Sequence, residues 1–231
     1  MNRLTGICLT IVLAAAIPAA FAQPSELIME NPDSHRLVVE NDYVRVLELQ
    51  LGPGAALPMH TYPPRVVVAL NPSRIKLTSR EGQMEIKDEK PGDVFWYDAT
   101  SQALEVVAGT LHEIETEIKP ASPPAYTHTA KDMTEITPQL AHVLFENARL
   151  RVVDLRGEAG QQYPFHFHPP RVGIRLEPAR MKIRAQNGTT SLVDFHVGEA
   201  TWGNFVEHTD AVVLGSFHMV MIELKPQERP Q

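Results

Sequence analysis

The chain has 231 residues, 43% hydrophobic and 21% charged, with 21 Lys+Arg against 28 Asp+Glu and a formal charge of −7. This composition excludes a disordered, collagen-like or multi-span membrane protein, and a chain of this length buries roughly 70% of its unfolded surface without needing disulfides or a structural metal. No Lys/Arg run long enough to neutralise a phosphate backbone occurs, so nucleic acid is not an expected partner.

Residues 1–22 read as a secretory leader. Arg3 opens it, Ile7 to Ile17 form its apolar stretch, and Ala20-Phe21-Ala22 is a small-x-small cleavage site before Gln23. The apolar stretch is shorter than the ~20 residues of a spanning helix. The one cysteine, Cys8, lies inside this leader, which leaves the mature chain without disulfide or thiol chemistry. The expectation is an exported protein, periplasmic or extracellular, with no membrane attachment after cleavage.

The remainder is written twice. Glu40-Asn41 recurs as Glu146-Asn147, Gly54 as Gly160, His60 as His166, and Pro63-Pro64-Arg65-Val66 as Pro169-Pro170-Arg171-Val172. Gly92, Trp96, His112 and Lys119-Pro120 recur at the same shift as Gly198, Trp202, His218 and Lys225-Pro226. Such self-similarity marks a tandem duplication. In chain order, Val44-Arg45-Val46 and Arg74-Ile75-Lys76-Leu77 alternate as strands with one buried face, and Glu81-Gly82 turns the chain. Pro120 to Pro138 reads as the connection, with one short helical turn at most. In the second copy Leu150-Arg151-Val152 and Arg180-Met181-Lys182-Ile183 are the matching strands, and Asn187-Gly188 is a two-residue hairpin turn. The expected units are residues 23–125 and 126–231, each all-β.

Gly160, five residues, then His166-Phe167-His168 resembles the first signature of the cupin superfamily, and Gly198-Glu199, Trp202 and His208 resemble the second. The resemblance spans both copies and implies a bicupin, two antiparallel jelly-roll barrels in one chain. Arg171 or Val172 stands where the family's glutamate belongs, and the second signature lacks its proline and glycine around Asn204.

Residues two apart on a strand share a face, so His166 and His168 project together, with Phe165 and Phe167 opposite. His208 completes three imidazoles suited to one divalent Fe, Mn, Ni, Cu or Zn. Arg171 has three alternative places: beside the metal position, where it demands an anionic substrate; as the carboxylate or phosphate fork of a metal-free pocket; or outward, paired with an acid such as Glu177. The first copy carries Tyr62 and Gln102 where the second has His168 and His208. It is expected to bind no metal and to grip a ligand through His60, Tyr62, Arg65 and Gln102. His218 shares parity with Val220, Ile222 and Leu224, which makes it a core histidine, a fourth ligand or a proton shuttle. Trp96 and Trp202 suit a barrel wall or an inter-barrel contact better than a substrate platform.

The leading functional expectation is a metal-dependent site for a small, anionic molecule in the second barrel, with Arg171 holding its charge and oxygenase, isomerase and lyase chemistry all open. The alternatives are a metal-free binding module for a small anion or sugar acid, gripped by Arg65 and Arg171, and an assembly protein. Edge-strand pairing between subunits makes a homodimer the expected oligomer.

Overall fold

A computed structural model describes residues 33–227. The leader expected at residues 1–22 lies outside them. The first copy forms nine strands: β1 (His35–Glu40), β2 (Val44–Leu51), β3 (Ala56–Tyr62), β4 (Arg65–Ala69), β5 (Ser73–Ser79), β6 (Met84–Glu89), β7 (Val94–Tyr97), β8 (Thr100–Gly109) and β9 (Leu111–Ile118). They make a five-stranded sheet in the order β1-β2-β9-β4-β7 and a four-stranded sheet in the order β3-β8-β5-β6. The second copy begins with a two-residue strand, β10 (Lys131–Asp132), and one helical turn, α1 (Met133–Ile136), capped by Asp132 accepting the Thr134 N–H. The connection thus holds the single helical turn expected there, and β10 pairs in parallel with the second copy. Then follow β11 (Ala141–Glu146), β12 (Leu150–Glu158), β13 (Gln162–His168), β14 (Arg171–Arg175), β15 (Ala179–Ala185), β16 (Thr190–Phe195), β17 (Ala200–Gly203) and β18 (Val206–Leu224). Among the described residues no helix is long and apolar enough to cross a membrane.

The duplication is visible in the register. Val44 opposes Ile118 on β2 and β9, as Leu150 opposes Leu224 on β12 and β18, and His60 opposes Gln102 as His166 opposes His208. Where the first copy uses two strands, β18 runs unbroken for 19 residues and turns at Gly215. Gly215 (φ 85°) and its counterpart Gly109 (φ 76°) need glycine twice over. The backbone is left-handed, and a Cβ would stand 2.5 Å from the Pro178 carbonyl oxygen or 2.6 Å from that of Pro72. The chain turns between β15 and β16 at Asn187-Gly188 as expected, but over residues 186–189 rather than two: only Gly188, at φ 85°, is left-handed, and the Ala185 N–H donates to the Thr189 carbonyl across the loop.

Two inner strands of the five-stranded sheet, β4 and β9, and their counterparts β14 and the C-terminal half of β18 are buried on both faces, because the copies pack against each other. Val44, Val46, Val66 and Ile114 from one copy and Leu150, Val152, Val172 and Ile222 from the other form a single cluster, each fully buried. The packing is reciprocal: Tyr43 stacks on Trp202 and Trp96 on Phe145, and His218 lies beside Gly92 as His112 lies beside Gly198. Both tryptophans therefore serve the contact between copies.

Within the second copy the Tyr163 hydroxyl donates to the Arg156 carbonyl at 2.7 Å, across Gly157. A Cβ on Gly157 would fall 2.0 Å from that hydroxyl oxygen. Gly157→Ala should therefore cost about 1–3 kcal/mol by displacing a buried hydrogen bond. Urea denaturation of Gly157→Ala with and without Tyr163→Phe checks this, since removing the hydroxyl should recover part of the loss.

Candidate metal centre

Alternation along β13 points His166 and His168 inward, and the cross-strand pairing of His166 with His208 brings the third imidazole from β18. All three are buried, at 0, 2 and 6% exposure, with one ring nitrogen from each within 4.8 Å of the others. The His166 Nδ1–H donates to the Pro164 carbonyl at 2.7 Å, leaving its Nε2 lone pair bare, and His168 Nε2 lies 2.9 Å from it. One proton on His168 Nε2 bridges them. His208 Nε2 has no hydrogen-bond partner, and Asp210 Oδ2 lies 3.7 Å away.

This donor set fits a divalent transition metal. Two imidazoles bound to one ion at about 2.1 Å stand about 3 Å apart when adjacent, so an ion can replace the bridging proton without moving β13. The ligands are also kept neutral. Burial pushes His166 down to about 4 and His208 down to about 3, and holds His168 well below the ordinary imidazole value. The Arg171 charge adds to each effect.

Behind His168, Glu223 Oε1 lies 3.5 Å from Nδ1, and Glu223 Oε2 accepts from Arg151 Nε at 2.5 Å. Arg151 is held in turn by Asp132. Burial raises the Glu223 carboxyl, and Arg151 opposes that.

Arg171 takes the interior place. It lines a cavity of about 200 Å³ with His168, His208 and Asp210, and its Nη1 makes only long contacts, 3.3 Å each, to the carbonyls of Pro169 and Asn204. Gly203 makes room for it, since a Cβ there would stand 3.2 Å from Nη1. No carboxylate lies within 4 Å among the described residues, and Glu177 is not its partner. Burial lowers the guanidinium to about 10. Asp210, raised to about 7 chiefly by burial, lines the same cavity.

The structure does not bring His218 to this cavity. Phe217 and Met219, its neighbours in β18, line the cavity, so His218 points the opposite way, bonds Asp154 Oδ1 at 2.5 Å and sits against Gly92 of the first copy. Of its three expected places His218 takes the core one, as a histidine–carboxylate prop at the contact between copies repeated by His112 and Glu48 at 2.8 Å, and is neither fourth ligand nor proton shuttle at this site. His35, which lacks a counterpart in the second copy, is buried as well.

In the first copy Tyr62, Arg65 and Gln102 are buried and His60 is half-buried. Arg65 is not an open fork: its guanidinium is stacked between the rings of Tyr62 and Tyr97, at 4.0 and 4.7 Å, and faces Glu115 at 3.5 Å. Glu89, Glu113 and Glu117 are buried alongside, with Lys87 joined to Glu89 at 3.3 Å. The counterparts of Glu113 and Glu115 in the second copy are Met219 and Met221. The first barrel has filled its centre with its own charges.

No family model and no curated protein matches the chain. Solved structures do. AerE from Microcystis aeruginosa superposes with a TM-score of 0.56 at 13% identity, over 84% of this chain and 98% of that one. The oxalate decarboxylase of Bacillus subtilis, a protein with Mn(II) centres, gives 0.54 at 11% identity over 87% and 72%. A cupin 2 conserved barrel domain protein from Leptotrichia buccalis gives 0.50 at 14% over 83% and 88%. The fold is a cupin fold. At these identities the likeness carries the fold alone, and the candidate site stands on its own geometry. Sequence reading missed Arg175, Asp210 and Glu223 in this barrel; Arg175 and Asp210 each sit an even number of residues from one it did select, Arg171 and His208, whereas Glu223 lies an odd number from His218, on the other face of β18.

Proposed function

We propose that the second barrel binds one divalent transition metal through His166, His168 and His208 and acts on a small anionic molecule held by Arg171. The observation that carries this is the convergence of three buried, neutral imidazoles, two with Nε2 atoms 2.9 Å apart, beside a guanidinium that has no carboxylate partner. The metal, when bound, would supply Lewis acidity or an oxygen-binding position. Manganese is a fair first candidate because a similarly folded decarboxylase has Mn(II) centres, and the donor set equally suits Fe, Ni, Cu or Zn.

The chain's own residues do the rest. Pro164 fixes the His166 ring so that Nε2 faces the centre. Arg171 compensates an anionic group, which offsets the repulsion between its own charge and a divalent ion. The apolar walls from Met181, Phe195 and Phe217 exclude water and strengthen both interactions. Oxygenase, isomerase and lyase reactions all fit this arrangement. The reading keeps export by residues 1–22 as part of the proposal.

Elemental mass spectrometry on protein purified without a histidine tag tests it. The expected result is close to one metal per chain, lost in His166→Ala/His168→Ala. Protein that stays metal-free after incubation with Fe, Mn, Ni, Cu and Zn salts overturns the metal reading and leaves a pocket for anions.

A further inference from the structure

Arg171, Gly173 and Arg175 share the inward face of β14, and both arginines line the same cavity. Arg175 is 9% exposed. Its Nη1 donates to the Gly173 carbonyl at 2.8 Å and to Thr201 Oγ1 at 2.5 Å, and its guanidinium lies 4.5 Å over the Phe195 ring. These contacts fix the group without a touching acid; the carboxylate whose charge reaches it, Glu199, acts from beyond ion-pair distance. Nε is buried without a hydrogen-bond partner, and no carboxylate lies within 4 Å among the described residues. The Nε–Nη2 edge, the one that matches a carboxylate with two parallel hydrogen bonds, is unused.

A buried cation that no carboxylate touches is costly, and this cavity holds two, with Glu223 and Asp210 acting on Arg171 and Glu199 on Arg175 only from beyond 4 Å. Its other titratable lining is His168, His208 and Asp210, and Asp210 is the only acid among them. The corresponding position in the first barrel is Ala69, so the second arginine belongs to this barrel alone. We propose that Arg175 is a second anion subsite, and that the cavity takes a compact dicarboxylate with one carboxylate toward Arg171 and the three histidines and the other on Arg175. The volume, about 200 Å³, holds roughly seven water-sized groups and suits an acid of that size. This rests on the proposed anion-holding role of Arg171 and specifies the substrate class.

Titration calorimetry on metal-free protein, with malonate and acetate as probes, separates this inference from the metal reading. Wild type should bind malonate at least tenfold more tightly than acetate. Arg175→Met should lose that preference while still binding acetate, and Arg171→Gln reports on the other arginine independently. Should Arg175→Met not fold, the Arg175 Nε–H resonance in wild type decides: it should shift with malonate and stay put with acetate. Equal binding of the two acids, a preference that survives Arg175→Met, or an unmoved Nε–H overturns the proposal.

Discussion

Arg65→Met should destabilise the protein by about 3–5 kcal/mol, the usual cost of removing one partner from a buried ion pair. Arg65 is 2% exposed, stacked between Tyr62 and Tyr97, and its Nε faces Glu115 Oε1 at 3.5 Å, while Glu115 Oε2 is buried without a hydrogen-bond partner. Removal leaves the carboxyls of Glu89, Glu113, Glu115 and Glu117 with only Lys87 and Arg45 nearby. The loss should also depend on pH. Burial raises Glu113 well above the ordinary 4.5 and Glu117 to about 7, and Arg65 is among the charges that hold Glu117 down. An acid whose folded value is raised contributes stability that is fully present below 4.5 and is lost as pH rises through the folded value. Without Arg65 the Glu117 value climbs further, so the penalty at pH 8 should exceed that at pH 5. Urea denaturation at the two pH values measures it. An equal penalty at both would mean that Arg65 acts through packing on the tyrosines rather than through charge.

The fate of Arg65 also shows where reading the sequence reached its limit. Counterpart residues located both barrels, because duplicated glycines and prolines mark equivalent turns whatever the side chains between them do. The triad was legible through the family resemblance: His166 and His168 stand in the first cupin-like signature and, two apart, share a strand face, while His208 was found only by the second signature, and the structure pairs it with His166. What the period could not tell is whether a strand has one dry face or two. Glu113-Ile114-Glu115-Thr116-Glu117-Ile118 carries the pattern of a half-solvated strand, yet β9 lies between the barrel interior and the other copy, and its glutamates are buried. The same ambiguity left His218 open: its parity with Val220, Ile222 and Leu224 placed it in a core, as the structure does, but not which of the two cores, and it is the one between the copies. Arg175 went unread for the opposite reason, since an arginine on a strand is ordinarily solvated and only burial exposes it as an anion site.

Glu223→Gln should weaken metal binding by about 10–100-fold, the usual effect of losing a group that orients a ligating histidine. For His168 to ligate through Nε2, its proton must sit on Nδ1, and the group facing Nδ1 is Glu223 Oε1 at 3.5 Å. Coordination draws electron density from the ring and makes Nδ1–H a stronger donor, so the carboxylate favours the ligating tautomer over the one that shares a proton with His166. An amide keeps one acceptor oxygen, which cannot serve both His168 and Arg151. The competing account is that Glu223 merely anchors Arg151 and that any loosening of this corner disturbs the triad. Asp132→Asn separates the two, because Asp132 holds Arg151 without approaching His168. Competition titration of zinc against a chelator should show the loss in Glu223→Gln and near wild-type affinity in Asp132→Asn. Imidazole nitrogen spectra of the zinc-loaded protein should show His168 protonated at Nδ1 in both wild type and Asp132→Asn. Equal weakening by the two substitutions would assign Glu223 to the support of Arg151 alone.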